Sequence, residues 1–304
     1  MGDGFFGLLP EVVLDAAERS GTRATGRIAA LNSLENRVYD VELEGGRRLI
    51  AKFYRPGRWD RATILDEHAV LLALVDEDFA TAAPIPFPDG DTLARTPDGI
   101  WFALFPRVLG RAAGSLEPPE LGQLGQLVAR IHNVTAPLPI AHRPALSPAS
   151  YGRDSLDTLL AGGFIPGSLE ARFAGVRTLP INADLHRGNL LEAGPRSWII
   201  LDFDDLASGP AVQDLWLLLP ARPEDCPEHL AALVEGYEQF RVFDPDELVL
   251  VEVLRGLRYV RYAAWVASRW SDPSFPRAFP GWGSERYWSE QISDISEQLE
   301  VLSR

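Results

Sequence analysis

The sequence predicts an α+β fold in two parts, a small strand-rich lobe followed by a larger helical lobe. Three observations carry that prediction. Alternating apolar and polar residues around Gly45-Gly46, in "RVYDVELEGGRRLIAKFY", mark an antiparallel hairpin. From Leu121 onward apolar residues recur at three- and four-residue spacing, the signature of amphipathic helices. Between these regions "FPRVLGRAAGSLEPPE" is a connection punctuated by Gly and Pro. The 304 residues therefore divide into 1–105, a hinge at 106–110, and 111–304, with enough chain on each side for a separate core.

The elements follow in order. Residues up to about 105 read as strands with one helix. The hairpin ends near Lys52, and "RATILDEHAVLLALV" follows as a helix whose apolar face carries Ile64, His68, Leu71, Leu72 and Val75. Glu67 lies on the flank of that face. It reads either as a boundary glutamate or as a side chain turned toward the sheet. "PIPFPDGDTLARTPDGIWFALF" supplies two further short strands. "ELGQLGQLVARIHN" is a helix with Leu121, Leu124, Leu127, Val128 and Ile131 on one side, and its terminal His132 reads as a packing or capping residue. Residues 140–180 are loop-rich. "SWIILDFDD" is a strand ending in carboxylates, and the last hundred residues are helical.

Composition narrows the functional classes. Net charge is −14, from 29 basic and 43 acidic residues, so a basic face for nucleic acid or an anionic membrane is not expected. The single cysteine, Cys226, rules out a disulfide framework or a cysteine-built zinc site. The N-terminal "MGDGFFGLLPEVV" lacks a basic start and is a poor secretory signal; no uncharged apolar run reaches the ~18 residues of a membrane span. A cytoplasmic monomer is the expectation.

Familiar motifs are mostly absent. "GDGFFG" at 2–7 matches a dinucleotide fingerprint in letters, but no strand precedes it. No P-loop, H-E-x-x-H or G-x-S-x-G can be read. What stands out instead is that 28 of the 29 basic residues are arginine and the one lysine is Lys52. A compact ammonium on a slim stem suits phosphate oxygens and a carboxylate in a narrow site, where a guanidinium fork is too wide. The segment "INADLHRGNLL" then places Asp184 and Asn189 five residues apart, the spacing of acid and amide in a kinase catalytic loop. The acid would orient or accept the proton of an attacking hydroxyl, while the amide oxygen would help hold Mg²⁺. Asp202 in "LDFDD" adds a second metal-binding oxygen. Each piece alone reads equally as a polar turn or a solvated strand end. A metallohydrolase built on Asp184, His186 and Asp202 is the competing chemistry, and it leaves Lys52 without a role.

These residues resemble the kinase-like fold of aminoglycoside phosphotransferases and choline kinases. Within that group, the chain is most similar to the bacterial stress response kinase A family of Ser/Thr protein kinases. The likeness runs through "LNSLENRVYDV", "KFYRPGRW", "ILDEH", "FALFPRVLGR", "DLHRGNLL", "LDFDDLASGPAVQDLWLLL" and "RWSDPSFPRAFP", covering nearly the whole chain. It implies a protein-kinase-like α+β fold with ATP and Mg²⁺ as cofactors. The implied activity is transfer to Ser/Thr hydroxyls of proteins, including autophosphorylation, in a stress response. It also implies residue roles: Asp184 as catalytic acid-base, Asn189 and Asp202 as metal ligands, Lys52 on the nucleotide phosphates with Glu67 as its partner. Ser33 would fall at the nucleotide-binding turn, and Arg107 in the hinge segment 105–108 whose backbone reads adenine. Asp214 would brace the catalytic loop.

The sequence departs from the family at two places. The usual His-Gly before the catalytic Asp is Asn182-Ala183, and "SLEARFAGVRTLP" is shorter than in relatives. Two alternatives therefore stay open. One is a small-molecule hydroxyl kinase of aminoglycoside, choline or homoserine type, which the acidity would suit. The other is a nucleotide-binding pseudokinase scaffold, motivated by Asn182.

Overall fold

The computed structural model describes residues 5, 8–155 and 176–302. Most of "GDGFFG" and the front of "SLEARFAGVRTLP" lie outside them. The chain forms two compact units, Met1–Ala113 with Pro137–His142 and Gly188–Asp204, and Gly114–Ala136 with Arg143–Arg187 and Asp205–Arg304.

The first unit is built on a five-stranded antiparallel sheet. Its strands are β1 (Ala24–Ala30), β2 (Arg37–Leu43), β3 (Arg48–Phe53), β4 (Ala94–Arg95) and β5 (Trp101–Pro106), in the order β1-β2-β3-β5-β4. The β2–β3 turn contains Gly45 and Gly46 at φ 82° and 79°, backbone that glycine adopts without steric cost. Along β3 the side chains alternate, so Leu49, Ala51 and Phe53 enter the core while Lys52 stands on the opposite face.

That core is closed by a helix the sequence reading passed over. α1 (Pro10–Glu18) starts with proline at its first turn, where a missing N–H costs nothing, and buries Val13, Ala16 and Ala17 at helical spacing. The strand-rich region thus has two helices rather than one. The second, α2 (Arg61–Asp76), is capped by the Asp60 side chain, which accepts from the Thr63 N–H. Its buried set is Thr63, Ile64, Glu67, His68, Val70, Leu71 and Leu74, whereas Val75 is exposed. The face is rotated from the one the apolar letters suggest, because Glu67 and His68 find polar partners in the interior.

A short strand, β6 (Arg111–Ala112), pairs with the hairpin of β8 (Leu190–Gly194) and β9 (Ser197–Ile200). This pairing, with the Thr81 hydroxyl donating to the Ile200 carbonyl at 3.0 Å, explains why residues 188–204 join the first unit.

The second unit is mainly helical. It contains α3 (Pro118–Thr135), the paired strands β7 (Leu179–Ile181) and β10 (Ala207–Gly209), and the short α4 (Gln213–Trp216). Then come α5 (Pro227–Glu238), α6 (Val251–Ser268), α7 (Ser274–Ala278) and α8 (Glu285–Leu302). α3 and α5 meet through glycines. A Cβ on Gly125 would collide with the Leu233 carbonyl, and one on Gly236 with the backbone of Gly122. That close approach brings His132 of α3 and Tyr237 of α5 into hydrogen-bond contact, 2.9 Å apart. No helix among the described residues is long and apolar enough to cross a membrane.

Candidate active site

In the first unit, Lys52 is the centre of a buried charge cluster. Its ammonium lies 2.9 Å from Glu67 Oε1 and 3.2 Å from Asp204 Oδ1, with the side chain only 11% exposed. Burial opposes the charge, but Asp204, Glu67, Tyr54 and Asp202 outweigh it and hold the ammonium well above its ordinary pKa. The neighbouring Tyr54 ring lies 4.7 Å from the same nitrogen. α2 is fixed beside it, since the His68 ring bonds the Tyr54 hydroxyl at 3.0 Å and the Thr92 hydroxyl at 2.8 Å. Glu67 is therefore a buried ion-pair partner, not a boundary residue.

The string "KFYRPGRW" has a visible purpose. Arg55 donates from its backbone to Asn36 Oδ1 and from its guanidinium to the carbonyls of Glu35 and Leu34, at 2.9–3.1 Å. Arg58 reaches Asp204 Oδ2 at 2.5 Å and Glu35 at 3.5 Å. Together they clamp the β1–β2 loop that carries half-buried Ser33 and tie it to the segment after β9. The guanidinium of Arg107, just past β5, pairs with Asp40 on β2 at 2.9 Å.

Asp202 and Asn189 also belong to the first unit. Asn189 ends a short helical turn, Arg187–Asn189, and its carbonyl accepts from Leu201 N–H at 2.9 Å. Asp202 is exposed and sits at φ 56°, in the left-handed region that aspartate tolerates better than most residues. Its own Oδ1 accepts from the Asp204 N–H at 3.3 Å, which supports that turn. Among the described residues no group of three His, Cys, Asp or Glu side chains is placed to hold a metal ion.

In the second unit, the loop after β7 is braced from behind by Asp214 of α4. Its two oxygens accept from the Asn182 and Ala183 N–H groups, both at 2.7 Å. The Gln213 side chain donates to the Ala183 carbonyl at 2.8 Å. A carboxylate only accepts, so the His132 Nε2–H donates to Asp214 at 3.2 Å and the Tyr237 hydroxyl can donate to Nδ1. His132 is thus a fully buried positioning residue, and Asp214 has the bracing place that the resemblance implied.

Asn182 and Ala183, where the resemblance implies His-Gly, have opposite consequences for the loop. Buried Asn182 accepts the Asp184 N–H on its own Oδ1 at 3.1 Å, a local turn that supports the loop. Ala183, however, sits at φ 69°, where a Cβ is strained. Ala183→Gly should therefore stabilise the chain by about 1 kcal/mol. Denaturant unfolding checks this, and an unchanged midpoint would show that the strain is absorbed elsewhere.

Asp184 itself is 29% exposed and faces two cationic or potentially cationic groups. Arg258 of α6 donates to Oδ1 at 2.6 Å, and His186 Nε2 lies 3.5 Å from Oδ2. Burial pushes the carboxyl upward, but the His186 hydrogen bond and the Arg258 charge and hydrogen bond prevail and hold it below the usual carboxylate range.

Of the sequence candidates, Ser33, Lys52, Glu67, Arg107, Asn189 and Asp202 lie in the first unit and Asp184 in the second. Lys52 and Glu67 are in direct contact, and the Asp202 charge is felt at Lys52. Three participants were missed. Asp204 had a signal, because "DFD" repeats a carboxylate at period two after a strand. Arg58 was visible only as part of a string, and Arg258 had none, being one arginine of several in a helix 74 residues from Asp184.

The chain is similar to known proteins along nearly its whole length. A model of the phosphotransferase enzyme family (APH) matches residues 27–250. Stress response kinase A of Escherichia coli (strain K12) is 36% identical over 312 residues, covering 97% of this chain and 94% of that protein. Serine/threonine protein kinase RdoA of Salmonella typhimurium (strain LT2) is 35% identical with the same coverage. Among solved structures, the amicoumacin kinase hAmiN in complex with AMP-PNP, Ca²⁺ and Ami aligns with a TM-score of 0.74 at 18% identity, over 96% of this chain and 92% of that one. A microcompartment-associated aminopropanol kinase aligns at 0.66 and 19%, over 96% and 97%. The protein has the α+β, protein-kinase-like fold of these phosphotransferases, is a kinase, and belongs to the phosphotransferase enzyme family.

Proposed function

We propose that this kinase uses ATP and Mg²⁺ to phosphorylate Ser/Thr hydroxyls of proteins, itself included, as part of a stress response. The buried Lys52–Glu67 ion pair is the observation that carries the nucleotide half of this reading. Such a pair fixes one compact positive charge where phosphate oxygens need it and lets a carboxylate, not solvent, set its position. The acceptor half is supported by the names of the curated relatives, which match along nearly the whole chain.

The residues suit the implied cofactors. Asn189 offers a neutral oxygen and Asp202 an exposed carboxylate, the hard donors that Mg²⁺ prefers. When bound there, the ion would neutralise charge on the nucleotide phosphates. Lys52 would bind those phosphates, with Glu67 orienting it, and the Ser33 loop would cover them under the clamp of Arg55 and Arg58. Asp184 would orient the acceptor hydroxyl and take its proton, while Asp214 and Asn182 keep its backbone in place. The filled hydrogen bonds around Asn182 favour a working loop over a scaffold.

The test is labelled ATP incubated with the protein alone and with a generic protein acceptor, with and without Mg²⁺. Metal-dependent label on either protein is expected. Binding of Mg-ATP with no transfer to any acceptor would turn the reading to the scaffold. A companion prediction concerns Asp202→Ala, which should weaken Mg-ATP by at least tenfold and metal-free ATP much less. Calorimetry showing equal losses would remove Asp202 from the metal site.

A further inference from the structure

Arginine accompanies two carboxylates of the second unit, Asp184 and Asp205. Arg258 holds Asp184 at 2.6 Å, and Arg261, one turn further along α6, holds Asp205 at 3.0 Å. Arg261 also lies over the Tyr151 ring, 3.8 Å from its centroid, which fixes the guanidinium plane. Continuing along the same helix face at spacings of three and four come Tyr262 and Trp265. α6 as a whole carries Arg255, Arg258 and Arg261 against one acid, Glu252, in a chain whose net charge is −14. Arg258 and Arg261 are anchored but not sealed, since 37% and 35% of their side-chain surface stays in solvent.

A site meant for an amino alcohol or aminoglycoside needs carboxylates left over for the ligand's ammonium groups. Here each of these two carboxylates already has a guanidinium on it. An incoming cation would meet the like charge of Arg258 and Arg261, while an incoming carboxylate or phosphate would meet planar donors suited to it. We propose that the acceptor is an anionic segment, one with a carboxylate or phosphorylated side chain about one to three residues from the accepting hydroxyl. Arg258 and Arg261 bind that group, and the aromatic stretch of α6 flanks it. This specificity rests on the reading of the protein as a Ser/Thr kinase and adds the charge class of its substrate.

The two ideas can fail separately. Three peptides, identical except for Asp/Glu, Asn/Gln or Lys/Arg on both sides of one serine, would be offered to the full chain with Mg-ATP. The expected order of kcat/KM is acidic, neutral, basic, with about tenfold or more between the extremes and most of the difference in KM. Arg261→Gln should shrink the acidic-to-basic ratio several-fold. Because the ratio is measured within one protein preparation, partial misfolding of a variant does not mimic the effect. Phosphorylation of all three alike, or preference for the basic peptide, overturns the charge assignment and leaves the protein-kinase reading standing. Transfer to aminoglycosides or amino alcohols with none to any peptide overturns both.

Discussion

Asp184→Asn is expected to lower phosphoryl transfer by roughly 10²–10⁴-fold while nucleotide affinity stays near that of the parent. The amide keeps the size of the carboxylate and can still accept from Arg258, so the loop should remain in place. What it cannot do is take the proton of an acceptor hydroxyl. Asp214 and Asn182 hold the backbone through bonds that do not involve the Asp184 side chain, at 2.7 and 3.1 Å. A folded variant with parental turnover would show that Asp184 is not the base. The pH profile gives a second readout of the same residue. The carboxyl is held below its usual range, so it should remain ionised down through mildly acidic pH. The stability it contributes is present above its unfolded pKa and is lost as pH falls through the lower folded value. An acid limb that Asp184 places near neutrality would contradict the ion pair with Arg258.

Lys52→Met should have the other large effect, on both stability and activity. Its removal breaks the buried ion pair with Glu67, whose side chain is 2% exposed, while Asp204 retains Arg58. Breaking a buried ion pair by removing one partner costs about 3–5 kcal/mol, enough to lower the unfolding midpoint by many degrees. Transfer should be abolished as well, because the phosphate-binding charge is gone. The double variant Lys52→Met with Glu67→Leu separates the two losses. Replacing a buried pair by apolar groups is close to neutral for stability, so the fold should recover and transfer should not. Recovery of transfer in that variant would deny Lys52 a place on the nucleotide. The parent's own pH dependence has a definite sign. A raised folded pKa means the lysine's contribution is complete below its unfolded pKa and is lost as pH rises through the folded one, in the strongly alkaline range.

Much of this site is local in the chain and therefore legible in it. A single lysine among 28 arginines, on a strand with strict alternation, can be found and placed on the sheet face opposite the core from the letters alone. The five-residue step from Asp184 to Asn189 and the carboxylates after β9 are equally local. Ala183, where the family resemblance leads one to expect glycine, is local too, and its backbone angle of 69° is one that glycine adopts more readily. Periodicity also gave the β2–β3 hairpin and the buried face of α3.

What the letters could not supply are pairings whose members are far apart in sequence. Glu67 looks like a flank residue on its helix, and only the sheet packed against α2 makes it the buried partner of Lys52. α1 went unseen because nine residues give a weak periodic signal; its two alanines matter only once the sheet offers them a close surface. Asp204 gains its meaning from Arg58, 146 residues away, and Asp184 its guanidinium partner from Arg258, 74 residues away. Charge acts through space, so such a pair exists only when folding has set its distance. Sequence determined which chemical groups this kinase owns and the order in which they come; the tertiary structure alone decided which of those charges neutralise one another and which stay exposed.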